Sequence, residues 1–429
     1  MSYLYQETTI GQLCRDGGGN VQTGPFGSQL KASAYVTDGI PTIMPADLID
    51  FRVSDKEIAR ISTEDHKRLS RHQLRPGDIV YGRRGDIGRH ALINQREAGW
   101  LCGTGCLRIR FGNAPIEPRY ISYYLRQSFV IERILGMAVG STMPNLNTSI
   151  LESVPVLLPS LPIQRRIAEI LGRLDDKIEV NRRINRTLEA MAGALYKHWF
   201  VDFGPFQDGE FVESALGLIP QGWTTTTLKE ITTKIGSGAT PLGGSSVYID
   251  DGVYLIRSQN IYDSRFAWDG LARITDDAAA KLSNVTVAEG DVLINITGDS
   301  ILRTCVTDRA MLPARVNQHV AIIRAASDIP PHFIHQHLLR SETKDMLLNM
   351  SSGATRKAVT KANLENTQIL LPPTSILSAF CAKTDPFFAQ ISSGNRESRK
   401  LTEIRDYLLP KLLSGVIPVE AAGAMSAQA

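Results

Sequence analysis

No uninterrupted apolar stretch in this 429-residue chain approaches the roughly 18 residues that a membrane-spanning helix needs. Nor does Met1–Gly11 combine a basic start with an apolar run, as a secretory signal does. Cysteine is scarce. Its five positions (Cys14, Cys102, Cys106, Cys305, Cys381) show no framework spacing, so reduced thiols are expected rather than a disulfide scaffold. Together these absences predict a cytoplasmic protein without a membrane partner. Gly and Pro are scattered, and hydrophobic residues at 43% supply apolar surface for two or three ordinary domains.

Catalytic signatures are missing as well. A methyltransferase acting on an amine would need an Asn/Asp-Pro-Pro-aromatic loop and a Gly-rich cofactor turn. Ile329-Pro-Pro-His332 and Leu371-Pro-Pro-Thr374 lack the leading amide or acid and read as turns. Gly238-Ala-Thr-Pro-Leu-Gly-Gly-Ser245 has the glycine spacing of a phosphate-binding loop, but Gly244 stands where that loop requires lysine. Glu342-Thr-Lys344 has no preceding strand acid, which argues against metal-dependent nuclease chemistry. His332, His335 and His337 have no Cys or acid beside them, and Cys102 and Cys106 have no second pair. No metal site is therefore predicted. The chain is expected to carry no catalytic residue and no cofactor of its own.

What the chain does have is a local excess of positive charge. Lys67, Arg68, Arg71, Arg75, Arg83, Arg84, Arg89, Arg96, Arg108 and Arg110 stand against only Asp78, Asp86 and Glu97, although the formal net charge is just +3. Such a stretch suits a phosphate backbone, or equally a solvated basic face. The later stretch from Lys281 to Arg324 is nearly balanced in charge.

The chain also repeats itself. Tyr35-Val-Thr-Asp-Gly39 recurs as Tyr248-Ile-Asp-Asp-Gly252, and Pro76-Gly-Asp-Ile-Val80 as Glu289-Gly-Asp-Val-Leu293, both at an offset of 213. Gly85-Asp86 and Gly298-Asp299 keep that register. So do Gly140-Ser-Thr with Gly353-Ala-Thr, and Val156-Leu-Leu-Pro159 with Ile369-Leu-Leu-Pro372. Near the front, Thr9-Ile10 and Thr227-Leu228 need 218, so a few residues were gained or lost early in one copy. One register held over more than a hundred residues indicates internal duplication. Each copy opens with short strand-like runs punctuated by Gly, Asp and Pro. A helical stretch follows, Arg119 to Leu135 in the first and Pro331 to Met350 in the second.

Both copies then turn into long amphipathic helices. After Leu161-Pro162, Ile167, Leu174, Asn181, Leu188 and Leu195 fall seven apart, with Ile163, Ile170, Lys177, Ile184 and Met191 read as the companion row. Asn181 is a candidate for setting register, or an exposed residue where the seam splays. Adding 213 gives Phe380, Phe387, Gly394, Leu401 and Leu408, with Lys383, Gln390 and Glu397 at companion positions. Pro386 predicts a kink or restart in this second helix. Two such helices in one chain pair most simply with each other and antiparallel. From Ile163 to Trp199 the first would span roughly 55 Å. A module at each end of such a pair resembles the two-half-site geometry of DNA-binding dimers.

Leu174-Asp-Asp-Lys-Ile-Glu-Val-Asn-Arg-Arg183, Thr187-Leu-Glu-Ala190 and Trp199-Phe-Val-Asp-Phe203 resemble the central repeat region of the specificity subunits of bacterial type I restriction-modification systems. Leu401-Thr-Glu-Ile-Arg-Asp-Tyr-Leu-Leu-Pro-Lys-Leu-Leu-Ser-Gly415 is similar to the distal one, and Thr23-Gly-Pro-Phe-Gly-Ser28 to a stretch near the start of the recognition modules. The resemblance implies an α+β chain with two tandem α/β target-recognition domains, separated by two long antiparallel coiled-coil helices and related by a pseudo-two-fold axis. The expected division is 1–160, 161–203, 204–373 and 374–415, with a tail over 416–429. The implied partners are double-stranded DNA read as a bipartite target, two modification subunits and two restriction subunits. S-adenosylmethionine, Mg2+ and ATP would sit on those partners. A coiled-coil scaffold that binds proteins alone is the competing reading. Arg on guanine and Asn or Gln on adenine are the usual base readers. Lys31, Arg83, Arg84 and Arg89 are therefore candidate contacts in the first module, and Arg257, Gln259, Asn260, Arg303 and Asn317 in the second.

Overall fold

The computed structural model describes residues 5–85, 87–138, 145–350 and 358–422. Asp86 and the Gly140-Ser-Thr and Gly353-Ala-Thr segments lie outside them. The chain forms two compact units, Met1–Glu179 with Ser398–Ala429, and Val180–Glu397.

In the first unit a four-stranded antiparallel sheet has the order Asn20–Thr23, Cys106–Arg110, Ile79–Gly82, His90–Leu92. The second unit repeats it as Thr232–Ser237, Val320–Ala325, Val292–Asn295, Thr304–Val306. Alternate strand residues face opposite sides, so each sheet feeds two cores. Ile79, Tyr81, Leu107 and Ile109 enter one, Val80, Ala91 and Cys106 the other. In the second unit Val292, Ile294, Ala321 and Ile323 part in the same way from Leu293, Val320 and Ile322. This explains why the central strands read as continuous apolar runs.

A smaller mixed sheet contains one parallel pair in each unit. Leu101 lies beside Thr42 in the first, and Arg315 beside Leu255 in the second. A terminal pair closes each module, Gln6–Thr9 with Pro155–Leu158 and Thr224–Thr227 with Gln368–Leu371. The early change of offset is now located. The first copy follows its opening strand with a helix, Ile10–Asp16, whereas the second passes through a turn before Thr232.

The turns that carried the repeat signal keep their backbone shape. Gly77 and Gly290 have φ of 88° and 83°, and Gly85 and Gly298 both have 79°, a region in which Cβ-bearing residues are strained. Beside the first pair, Asp78 accepts the Arg75 amide and both arms of Arg110, while Asp291 accepts the Ala288 amide and both arms of Arg324. Each expected helical stretch is in fact two helices, Pro118–Tyr124 then Ser128–Met137, and Pro331–Leu339 then Ser341–Met350. The break falls at the equivalent residues Gln127 and Arg340, whose ψ of 137° and 138° is extended.

Leu161–Phe200 and Thr374–Leu413 are unbroken helices of 40 residues each, about 60 Å long. Gln164 secures the start of the first, accepting the Glu117 amide and donating to the Pro159 carbonyl. Gly415, with φ of 73°, follows the end of the second. Pro386 does not restart that helix. The carbonyl it leaves without a partner belongs to exposed Ala382, where water can replace the lost bond.

Candidate nucleic-acid interface

The long helices carry the most constrained polar groups. In the second unit Asn181 is buried, and its Nδ2 donates 2.7 Å to Glu397 and 3.5 Å to the carbonyl of Gly394. One turn on, buried Asn185 donates 2.8 Å to Asn395 and 3.4 Å to the Ile391 carbonyl. The helices therefore run antiparallel here, and Asn181 meets its own sequence counterpart, Gly394. A Cβ at Gly394 would stand 2.9 Å from the Asn185 amide oxygen, so the glycine that weakens the apolar pattern admits an asparagine.

Ile167, Leu174, Phe380, Leu401 and Leu408 are buried, while Leu188, Leu195 and Phe387 are half-buried. The companion row needs correction. Ile184 and Met191 are 39% and 47% exposed, and Lys177 is exposed too. The buried partners lie four residues beyond the first row rather than three, at Leu171, Ile178, Asn185 and Ala192.

In the first unit the pairing centres on charge. Asp175 accepts Arg126 and Tyr123 on one oxygen and Arg405 on the other, all at 2.8 Å, and its backbone carbonyl accepts Arg52. Burial alone would raise the Asp175 carboxyl, but Arg126 and Arg405 outweigh it and hold the group down at about 2. Arg126 is sandwiched over the rings of Tyr123 and Phe51, 4.3 and 4.4 Å from their centroids. The second unit uses an aromatic cluster instead, in which Phe200 packs against Phe380 and Phe333 at 4.9 and 5.1 Å.

Among the candidate base readers in the first module, Lys31, Arg84 and Arg89 are exposed, while half-buried Arg83 donates its Nε to the Leu146 carbonyl. In the second, Arg257 and Gln259 both donate to the carbonyl of Gly270, and Arg303 lies over the ring of Tyr262. Two candidates are corrected. Asn260 is fully buried: its oxygen accepts the Arg257 amide and its Nδ2 reaches the Ala267 and Asp269 carbonyls. It is the counterpart of Asp47, which accepts the Met44 amide in the same way. Asn317 is 8% exposed and accepts the His319 amide. Asn260 is held wholly within its turn, and Asn317 commits its oxygen to one.

The basic stretch is also thinner than its composition. Arg108 is buried on Asn20, Gln22 and the Arg71 carbonyl, Arg110 is paired with Asp78, and Arg68 and Arg96 meet Asp65 and Asp55. Lys67, Arg71 and Arg75 remain exposed. Sequence reasoning missed a stacked group in the second module, where exposed Arg265 lies 4.2 Å and Arg303 4.7 Å from the Tyr262 ring centroid. An Arg-Tyr-Arg stack offers both charge and a flat face to a nucleotide. No sequence spacing announces it.

Five of the eight histidines are largely enclosed, whereas His198 is exposed and His66 and His319 are half-buried. Burial pulls His72, His90 and His335 down to about 4 and His332 and His337 to about 3, with positive neighbours helping in most cases. No group of three or more His, Cys, Asp or Glu able to hold a metal occurs among the described residues. The fold holds these rings neutral, whereas the unfolded chain protonates them near pH 6.5. Their contribution is full above that value and is lost as pH falls towards 4. The melting temperature is therefore expected to decline steadily from pH 6.5 to 4. A flat profile over that window would contradict the buried neutral state.

The profile of the type I restriction modification DNA specificity domain matches residues 52–190 and 220–394. The chain is 28% identical to the MjaIX type I restriction enzyme specificity subunit of Methanocaldococcus jannaschii, over 97% of each protein. It is 23% identical to the HindI specificity subunit of Haemophilus influenzae, over 87% of this chain and 94% of the relative. The solved S subunit of a type I restriction-modification system from M. genitalium shares the fold with a TM-score of 0.57, at 15% identity and 96% coverage of both chains. No helix among the described residues is long and apolar enough to cross a membrane.

Proposed function

Because the chain belongs to the family of type I restriction-modification specificity subunits and contains two of its recognition domains, we propose that it reads a bipartite double-stranded DNA target, one half per module. The observation that carries this reading is that the two modules share sheet order, core division and turn geometry while their exposed side chains differ. A shared scaffold with different surfaces suits two unlike half-sites. The paired helices act as the ruler for the unspecified gap, and Asn181 and Asn185 fix their register.

In this reading the chain docks two modification subunits, which hold S-adenosylmethionine, and two restriction subunits, which use ATP and Mg2+. It contributes specificity and no catalytic group, and it works in the cytoplasm, where its DNA is. Lys31, Arg84 and Arg89 in the first module, and Arg257, Gln259, Arg265 and Arg303 in the second, supply its DNA contacts.

Lengthening the ruler tests the reading. Four residues inserted in register into each long helix should widen the gap between the two methylated half-sites by about 6 Å, or roughly two base pairs. The readout is methylation by the chain assembled with its modification subunits on a library of spacer lengths. An unchanged gap overturns the ruler. Protein assembly without DNA protection would favour a scaffold that binds proteins alone.

A further inference from the structure

The second unit contains a cavity of about 350 Å³ beside the long helices, a size suited to a small ligand. Its walls carry four carboxylates, Glu189, Glu289, Asp308 and Asp385, and neither Lys nor Arg lines it. Among the described residues neither Glu289 nor Asp385 has a side-chain hydrogen bond or ion pair.

Buried His335, 3% exposed, lines the same cavity and has an Nδ1 without a partner. Its Nε2 lies 3.2 Å from the Thr304 carbonyl. A carbonyl only accepts, so Nε2 carries the proton and Nδ1 of the neutral ring presents a bare lone pair. Burial holds the ring neutral, with the pKa down at about 4. Carboxylates and an unused lone pair in one cavity call for a positively charged hydrogen-bond donor. Phe266, Met311 and Phe388, whose ring is stacked on His332 with centroids 3.5 Å apart, supply an apolar wall.

The first unit shows what this place takes when the chain fills it. The counterpart of His332, at the offset of 213, is Arg119. Its guanidinium donates 2.7 Å to Asp176 and 3.4 Å to the Gly172 carbonyl, and lies so close over Gly172 that a Cβ there would stand 2.6 Å from its Cζ. In the second unit Gly172 is replaced by Asp385 and Arg119 by His332. A guanidinium has been removed, the carboxylate that held it, Asp176, is replaced by Ala389, and Asp385 brings a carboxylate in at the position of Gly172.

We propose that this cavity binds a small flat organic cation, an amidinium or guanidinium on an apolar body, held by Asp385 and its neighbouring carboxylates and by His335 Nδ1. The internal counterpart favours such a planar, forked donor over a compact ammonium.

Benzamidine, with neutral benzamide as its isostere, is the probe for calorimetric titration of the full-length chain. Single-site binding of benzamidine is expected, with benzamide weaker by roughly tenfold or more. Asp385→Asn should weaken benzamidine by about tenfold, since it removes a charge-assisted bond and leaves the wall in place. His332→Arg restores the side chain of the first unit and should abolish binding while the melting temperature holds or rises. Thermal melts of each variant separate lost binding from lost folding. Absence of binding to the wild-type chain, equal affinity for the two probes, or affinity unchanged in both folded variants would overturn the proposal.

Discussion

Replacing Asp175 with alanine is expected to destabilise the chain by about 3–5 kcal/mol, the range for removing one partner of a buried ion cluster. The carboxylate is 8% exposed and is shared by Arg126, Arg405 and Tyr123. Its loss leaves the buried Arg126 guanidinium without a counter-charge, while Arg405 keeps only its pairing with Asp406. Neighbouring Asp176, exposed and paired with Arg52 and Arg119, provides the contrast: Asp176→Ala should cost about 1 kcal/mol or less. Urea unfolding of both variants checks the difference, and equal effects would contradict the role of burial. The sign with pH follows. The Asp175 carboxyl is held at about 2, below its unfolded value near 4, so its contribution is present above pH 4 and is lost as pH falls through 2.

Alanine at Gly24 or Gly238 is expected to cost roughly 3 kcal/mol or more, at the upper end for overpacking. A Cβ on Gly24 would stand 2.0 Å from the Gly103 carbonyl oxygen, and on Gly238 1.9 Å from that of Val316. Both obstacles are backbone, which cannot swing aside as a side chain does. Gly103 and Val316 are 213 apart, so the same close approach was kept in both copies. Gly236, two residues before Gly238 and with nothing within 4 Å of its Cβ position, should accept alanine with little change. Thermal melts of the three variants decide, and a mild effect at Gly24 and Gly238 would contradict the packing described.

The duplication was legible because turns demand particular residues. Gly77, Gly290, Gly85 and Gly298 adopt a positive φ, and Asp78 and Asp291 hold adjacent amides, so their spacing survived while the surfaces changed. One row of the helix seam was legible for the same reason, since Ile167, Leu174, Leu401 and Leu408 are large and apolar. The second row was misread. Ile170 is buried as part of the core of the first module, which made a three-residue step plausible, while the true row loses its large apolar residues after Leu171 and Ile178, at Asn185 and Ala192. Base contacts were the least legible. Asn260 and Asn317 have the residue type of an adenine reader, yet their amides are engaged within turns. Conversely, Tyr262 gains meaning only when folding brings Arg265 and Arg303 over its ring. Residue type announces a hydrogen-bonding capacity, but burial decides whether it faces the solvent or the fold.

The most direct test of one module per half-site is an exchange. Residues 1–160, the stretch expected to form the first module, are replaced by the corresponding stretch of another family member, and the assembled complex is used to methylate DNA whose modified sites are then sequenced. The account predicts that one half of the bipartite sequence changes to that of the donor while the other half stays the same. A change in both halves, or in neither, would contradict it.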